Sequence, residues 1–323
     1  MRHLDRNSVL FVGIWASGYV VGSIATSAAP AIAITFWRMT AAAVLLTGLA
    51  WWRRASWPRT IGTYAGLAVL GVLIFGAQFG GVYTGFAEGM PAGTASLVIS
   101  CAPLVVAVLQ ALLGWERLRA RQWLGVAVGL LGVVLALSDR LVSPGSASPL
   151  LWSLLGLAGF SVGTALVSRL MPADIDPVVA ATVECLAAAI ALVPWALVTG
   201  GLGIPLTASA LGAGAWLTVV NAIGGLLVFN AMTRRRGATV ASSLLFVVPP
   251  VTALVAWPVL GQPLNPLVFL GLAVAVIGVR LLRSGPRTPS SSNSQAPTGR
   301  VPGHANGLGA SSEQPEGCLD STP

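Results

Sequence analysis

Two ionisable side chains lie in the middle of apolar stretches. Arg38 is preceded by AIAITFW and followed by MTAAAVLL, and Glu184 lies within VVAATVECLAAAIAL. An ionised side chain at the centre of a membrane helix costs about 2.5–3.5 kcal/mol on insertion scales, so such residues are functional candidates. Arg38 could bind an anionic group of a substrate, such as a carboxylate. Glu184 could bind a substrate ammonium group or exchange a proton. Alternatively, the two form a structural ion pair or extend toward the nearer membrane surface.

Uncharged polar residues in the same stretches could complete a cavity. Ser96, Ser100 and Pro103 recur at helical spacing and share one helix face, and Pro249 marks the matching face of a second stretch. A membrane-embedded proline frees a backbone carbonyl that needs a partner or a wet cavity. Kinked packing of small residues is the alternative. Further candidates without a motif are Trp15, Tyr19, Gln78, Ser161 and Asn221, together with Ser17, Tyr83, Thr164 and Asn230.

The elements that would position these residues are membrane helices. The chain has 323 residues, of which 55% are hydrophobic and 9% are charged, whereas a soluble domain carries about 25% charged residues. Spans need about 20 apolar residues, and helices satisfy their own backbone in lipid. The sequence therefore predicts an all-α polytopic membrane protein with ten spans: 8–25, 31–51, 61–83, 93–114, 122–138, 150–171, 177–199, 209–232, 239–260 and 266–282.

The arginines predict the orientation of the chain. The 18 basic residues are all arginine, and sixteen of them fall in segments that share one side if the N-terminus is cytoplasmic. Arg140 lies in an outer loop and Arg38 lies within a span. The positive-inside rule then places both termini in the cytoplasm. The net charge of +8 is scattered over these loops, so we do not expect nucleic-acid binding. A cleaved signal peptide at residues 1–29 is a less favoured alternative, because the apolar run is long.

The remaining composition argues against other kinds of site. Three cysteines without CxxC spacing and two terminal histidines predict no metal, cofactor or histidine-based enzyme site. Asp174 and Asp176 are expected to cap the seventh span, and Glu88 is expected to be solvated in a loop. Residues 284–323 are rich in Ser, Pro and Gly, which predicts a disordered cytoplasmic tail.

Residues 95–118 and 241–264 look like copies of one element, 146 residues apart. Pro103 matches Pro249 at this offset, Gly125 matches Gly271 and Gly132 matches Gly278. The same offset relates Arg38 to Glu184. We predict two five-helix repeats, at 8–138 and 150–283. Because five is an odd number, the second repeat must be inverted, as in many secondary transporters.

Over residues 8–283 the chain resembles the drug/metabolite transporter superfamily, in its EamA-like branch. The residues that carry the resemblance are WASGY at 15–19, Pro30, FWR at 36–38, AGTAS at 92–96, Pro103, GWERL at 114–118, RGA at 236–238, Pro249 and GQ at 261–262. The resemblance implies ten helices, cytoplasmic termini, and transport of small metabolites, often by efflux and with amino acids among the substrates. One departure is Gln262, where the family usually has an acidic residue.

We therefore expect a secondary transporter that exports a small polar metabolite, such as an amino acid or related compound, across the cytoplasmic (inner) membrane by alternating access. Proton coupling is a hypothesis attached to Glu184. No GxxxxGK[ST] motif occurs, so an ion or solute gradient would supply the energy. The partners are a small-molecule substrate and the lipid bilayer, and a monomer and a homodimer are both compatible with the sequence. A membrane-embedded enzyme, a channel and a non-transporting scaffold are the alternatives.

Overall fold

The computed structural model describes residues 6–142, 147–228 and 244–283, and these residues form helices and no strands. Eight helices in these ranges are long and apolar enough to cross a membrane: Ser8–Ala28, Ala31–Trp52, Ile61–Ala87, Ala92–Leu112, Ala120–Ser138, Ala147–Leu170, Pro177–Val198 and Ala208–Val228. Two shorter apolar helices follow, Leu245–Leu260 and Pro266–Leu282. The all-α polytopic prediction is confirmed. The start of the predicted ninth span, Asn230 and the predicted tail 284–323 lie outside the described residues.

The helices are numbered in chain order. They are α1 (Arg6–Ala28), α2 (Ala31–Trp52), α3 (Ile61–Gly71), α4 (Gln78–Ala87), α5 (Ala92–Ser100), α6 (Ala102–Leu112), α7 (Ala120–Val142), α8 (Ala147–Leu170), α9 (Pro177–Val198), α10 (Ala208–Ala215), α11 (Val248–Leu260) and α12 (Pro266–Arg283). The first π segment (Val72–Ala77) joins α3 to α4, and the second π segment (Trp216–Gly224) follows α10.

Side-chain caps fix where several helices begin. Asp176 precedes α9, and its carboxylate accepts a hydrogen bond from the Val178 amide at 2.8 Å. Such a cap satisfies one of the amides that the first helical turn leaves without a partner. The prediction that Asp176 caps this helix is therefore confirmed. Thr60 caps α3 in the same way.

The fourth span is broken at Cys101, just before α6, which has Pro103 in its first turn. The break leaves the Leu97 carbonyl without its usual backbone donor, because the Cys101 amide bonds to Val98 instead. The Ser100 hydroxyl donates to the Leu97 carbonyl at 2.7 Å, and the Cys101 thiol donates to it at 3.2 Å. The freed carbonyl is thus satisfied inside the helix.

Several helix boundaries recur at the 146-residue offset. Helix α2 spans residues 31–52 and α9 spans residues 177–198, so both ends of α9 lie 146 residues after those of α2. Helices α11 and α12 begin at 248 and 266, and α6 and α7 begin at 102 and 120. The first π segment, 72–77, shifted by 146 becomes 218–223, which falls inside the second. The local irregularities therefore recur along with the helices.

Helices α7 and α12 meet main chain to main chain. A methyl group on Gly125 would lie 2.6 Å from the carbonyl oxygen of Gly278, and one on Gly132 would lie 2.5 Å from that of Gly271. Real side chains do not approach so closely, so this seam requires glycine at each position. Small residues allow such close helix approach within membranes.

Helices α2 and α9 carry the two ionisable candidates and pack antiparallel. Ile32, near the start of α2, clusters with Leu192 and Ala196, near the end of α9. The third helix packs against α9 through Gly71, where a methyl group would overlap the main chain of Glu184. Close packing of small residues therefore fixes both Arg38 and Glu184 in the interior.

Candidate functional site

Arg38 lies in the interior and binds two uncharged groups. Its side chain is 3% exposed. One terminal nitrogen, Nη1, donates a hydrogen bond to the Tyr83 hydroxyl at 2.5 Å, and the other, Nη2, donates to Oδ1 of Asn221 at 2.7 Å. The third nitrogen, Nε, is buried and has no hydrogen-bond partner within residues 6–142, 147–228 and 244–283. Three separate spans therefore converge on one guanidinium group.

The guanidinium group also rests on an aromatic ring. Its central carbon lies 3.9 Å from the centroid of Phe79, and the ring of Tyr83 packs edge-on against Phe79 at 5.7 Å. A cation over an aromatic face gains about 2 kcal/mol or more where water is excluded. We call Arg38, Phe79, Tyr83 and Asn221 the Arg38 cluster.

Two glycines of α1 make room for the partners of Arg38. A methyl group on Gly18 would lie 2.7 Å from Cγ of Asn221, and one on Gly22 would lie 2.8 Å from Cε1 of Tyr83. The spacing Gly18-xxx-Gly22 puts both glycines on one helix face. This motif usually packs helix against helix. Here it receives the two side chains that hold Arg38.

Asn221 connects the Arg38 cluster to α1. Its Nδ2 donates to the Ile14 carbonyl at 2.9 Å while its Oδ1 accepts from Arg38. The Ser17 hydroxyl donates to the same carbonyl at 2.8 Å, and Nε1 of Trp216 donates to that hydroxyl at 3.1 Å. Asn221 and Trp216 both belong to the second π segment. This segment is thus linked by hydrogen bonds to both α1 and α2.

Glu184 does not pair with Arg38. Among the described residues Arg38 has no carboxylate partner, and Oε1 of Glu184 is buried without a hydrogen bond. The geometry explains this, because α2 and α9 are antiparallel and each charge lies seven residues from its own helix start. At 1.5 Å per residue the two groups lie on the order of 10 Å apart along the helix axes. The described residues therefore show no ion pair between Arg38 and Glu184.

The predicted face of serines and prolines makes hydrogen bonds within its own helix and not to the Arg38 cluster. Ser96 and Ser100 donate their hydroxyls to the carbonyls of Gly93 and Leu97 in their own helix. Pro103 and Pro249 each lie in the first turn of a helix, α6 and α11. The two serine hydroxyls are therefore satisfied within their own span, and the two prolines mark corresponding helix starts in the fourth and ninth spans.

Four other residues that were predicted from the sequence differ in their packing and burial. Tyr19 packs against the apolar cluster that contains Tyr83. Trp15 pairs with Phe11 at 4.7 Å between ring centroids. Gln78 is buried directly after the first π segment. Ser161 is fully buried, and its hydroxyl has no hydrogen-bond partner in the part of the chain that the structure describes.

Two polar residues at helix ends have structural roles. Gln262 accepts a hydrogen bond from the Ala92 amide, at the start of α5, through Oε1 at 3.0 Å. Glu88 is exposed, as expected, but it accepts hydrogen bonds from the Ser148 hydroxyl and from Nε1 of Trp152, the latter at 2.9 Å. Each residue ties the end of one helix to another part of the chain.

Sequence reasoning missed how these groups combine. Arg38, Tyr83 and Asn221 were each visible as polar residues in apolar runs, but they are separated by 45 and 183 residues in the chain. Phe79 carried no signal, because a phenylalanine in a membrane span is ordinary. The glycine pair at 18 and 22 was the available signal, because two glycines at this spacing mark a face of α1 against which another helix or side chain packs closely.

The chain is similar to a family of transporters and to individual proteins that are named as transporters. The model of the EamA-like transporter family matches residues 8–138 and again residues 148–284. A protein named uncharacterized inner membrane transporter YedA, from Escherichia coli, is 26% identical over 275 residues, which cover 84% of this chain and 88% of that protein. A protein named uncharacterized transporter sll0355, from Synechocystis, is 27% identical over 248 residues, or 67% of this chain and 71% of that one.

One solved crystal structure shares the fold. It superposes with a TM-score of 0.59 at 18% sequence identity, covering 86% of this chain and 95% of the other. At this identity the likeness concerns the arrangement of helices alone.

Proposed function

The chain belongs to the EamA-like transporter family, and on that premise we propose that it is a secondary transporter exporting a small polar metabolite, such as an amino acid or related compound. The two curated relatives are named as transporters, one of them of the inner membrane. The apolar helices suit a multi-pass protein of the same membrane.

The observation that carries this proposal is a buried cation that has no counter-ion among the described residues. Arg38 is held by a hydroxyl, an amide oxygen and a ring face, and none of these is charged. A buried charge is costly in a membrane protein and marks a substrate or ion pathway by default. The anionic group that would neutralise Arg38 is therefore part of the substrate.

Alternating access requires two halves that can rock about the site. We assign them to two inverted five-helix repeats, 8–138 and 150–283, with ten spans in total. The helix boundaries and π segments that recur at an offset of 146 residues support this assignment. The separate matches of the family model to two parts of the chain support it as well. Arg38 contacts Tyr83 in the first half and Asn221 in the second.

The orientation follows from the positive-inside rule. With cytoplasmic termini, the exposed residues Arg53, Arg54 and Arg59 and the loop residues Arg117 and Arg119 lie on the inner side. The sequence also predicts the inner side for the three arginines at 234–236, which lie outside the described residues.

Glu184 is the candidate for coupling to protons. It is 6% exposed, and its Oε1 accepts no hydrogen bond from any residue that the structure describes. A carboxyl that binds and releases a proton between the two access states would make export depend on the proton gradient. Glu184→Gln is then expected to abolish the pH dependence of transport in proteoliposomes, and Glu116→Gln, at an exposed position, serves as the control. Full, pH-dependent transport by Glu184→Gln would refute this role.

Export itself is tested by comparing the culture media of expressing cells. Cells with the unmodified protein should accumulate one class of compound outside, and cells with Arg38→Met at matched abundance should not. Arg59→Met makes the same change at an exposed position and should behave like the unmodified protein. Identical media from all three strains, followed by no uptake or release of the same compounds in proteoliposomes, would contradict the proposal.

A further inference from the structure

One edge of the Arg38 guanidinium group carries a buried nitrogen that has no acceptor in the described part of the chain. In a guanidinium group, Nε and Nη2 point two N–H bonds in parallel from the same edge. In this protein Nη2 donates to Oδ1 of Asn221, while the neighbouring Nε has no partner in the part of the chain that the structure describes. The opposite nitrogen, Nη1, is already held by Tyr83. Of the two nitrogens on this edge, one therefore has an acceptor and the other has none among the described residues.

A carboxylate would fill this edge completely. Its two oxygens accept the two parallel N–H bonds of arginine in a bidentate pair, which is stronger and more specific than a single bond. A carboxamide has the same planar shape, but it offers only one acceptor oxygen and no charge. Asn221 therefore fills the position of a carboxylate incompletely.

The surroundings allow Asn221 to leave. Its other bond is to the Ile14 carbonyl, which the Ser17 hydroxyl also satisfies, so departure strands no acceptor there. Asn221 lies in the second π segment, and π turns are frequent at functional sites.

We propose that Asn221 is a placeholder that a substrate carboxylate displaces from Arg38. The inference rests on the proposed function and narrows the substrate class to compounds with a carboxylate group. It also gives binding a mechanical consequence. When Asn221 leaves Arg38 and Ile14, the second π segment loses its side-chain bonds to α2 and, through Asn221, to α1.

The test measures binding to purified full-length protein in detergent by thermal unfolding. The probes are acetate, benzoate and L-alanine. Acetamide and benzamide serve as neutral isosteres, and phosphate and sulfate as anions of another shape. Asn221→Asp puts a tethered carboxylate on Arg38, whereas Asn221→Ala empties the position. Arg38→Met removes the binding group itself.

We expect at least one carboxylate to raise the unfolding temperature of the unmodified protein, while its amide does not. Asn221→Asp should bind that carboxylate about 10- to 100-fold more weakly, because a charge-assisted pair is already made on Arg38, although the variant gives up the hydrogen bond to the Ile14 carbonyl. Asn221→Ala should bind it more tightly than the unmodified protein.

Three results would overturn the placeholder role. They are equal binding of a carboxylate and its amide, preference for phosphate or sulfate over every carboxylate, and unchanged carboxylate affinity in both Asn221 variants. If Asn221→Asp does not fold, Asn221→Ala decides, since weaker binding by that variant contradicts the proposal. Carboxylate binding that survives Arg38→Met would instead contradict the substrate site under Proposed function.

Discussion

Replacing Gly18 with alanine isolates the contact between α1 and Asn221. The new methyl group would lie 2.7 Å from Cγ of Asn221. The atoms that it meets belong to the end of one side chain, so Asn221 can turn away while the helices stay in place. We expect the variant to fold but to lose both hydrogen bonds of Asn221. Gly13→Ala is the matched control on the same helix, because a methyl group there meets nothing within 4 Å.

The magnitude follows from the two bonds. A hydrogen bond to a charged group contributes about 1.5–3 kcal/mol and a neutral one about 0.5–1.5 kcal/mol. Polar bonds inside membrane proteins average about 0.6 kcal/mol in measured cases. Alanine favours the helix over glycine by about 1 kcal/mol, but this gain is common to both variants and cancels. Gly18→Ala should therefore be less stable than Gly13→Ala by about 1–4 kcal/mol.

Unfolding by sodium dodecyl sulfate in mixed micelles, followed by tryptophan fluorescence, measures this difference. A double-mutant cycle makes the test specific. In an Asn221→Ala background the clash is absent, so Gly18→Ala and Gly13→Ala should have the same stability. Equal stability of the two glycine variants in the unmodified background would refute the reasoning, and so would a penalty that persists without Asn221.

Two further predictions concern helix contacts away from the Arg38 cluster. Gly71→Ala should lower the free energy of unfolding by about 1–3 kcal/mol, because the methyl group overlaps the main chain of Glu184. Gly62→Ala, where the space is open, should not lower it, and a similar effect of both changes would contradict the packing. Gln262→Leu should cost about 1–3 kcal/mol by leaving the Ala92 amide without its acceptor. Gln262→Glu keeps an acceptor, so its stability in the same assay should stay closer to that of the unmodified protein.

The sequence allows the helices to be predicted because their ends carry chemical signals. Asp176 and Pro177 mark the start of α9, and the predicted start at residue 177 agrees with the structure. The π segments could not be predicted in this way. A π turn adds a residue and rotates the positions that follow, but in a span that is apolar throughout this rotation leaves no visible change of pattern. Neither proline nor charge marks Val72–Ala77.

The site was predictable only as separate residues. Burial of Arg38 followed from its apolar neighbours in sequence. Its choice of partners depends on how three distant spans cross, which local pattern does not encode. Ser96 and Ser100 show the opposite case, because their spacing is right for a polar face and yet their hydroxyls turn back to their own helix. A serine in lipid can satisfy itself locally, whereas a guanidinium group cannot.

The seam between α7 and α12 has a consequence for how this chain can change over evolutionary time. Glycine is the smallest residue, so every substitution at Gly125, Gly132, Gly271 or Gly278 adds atoms where main chains already touch. When a larger residue replaces one of these glycines, no smaller residue can replace the glycine opposite to restore the space. In a core of leucines and valines such a compensating change is available. We therefore expect these four glycines to tolerate no substitution without a loss of stability. Variation in the protein is expected to collect instead on the lipid-facing sides of the same two helices.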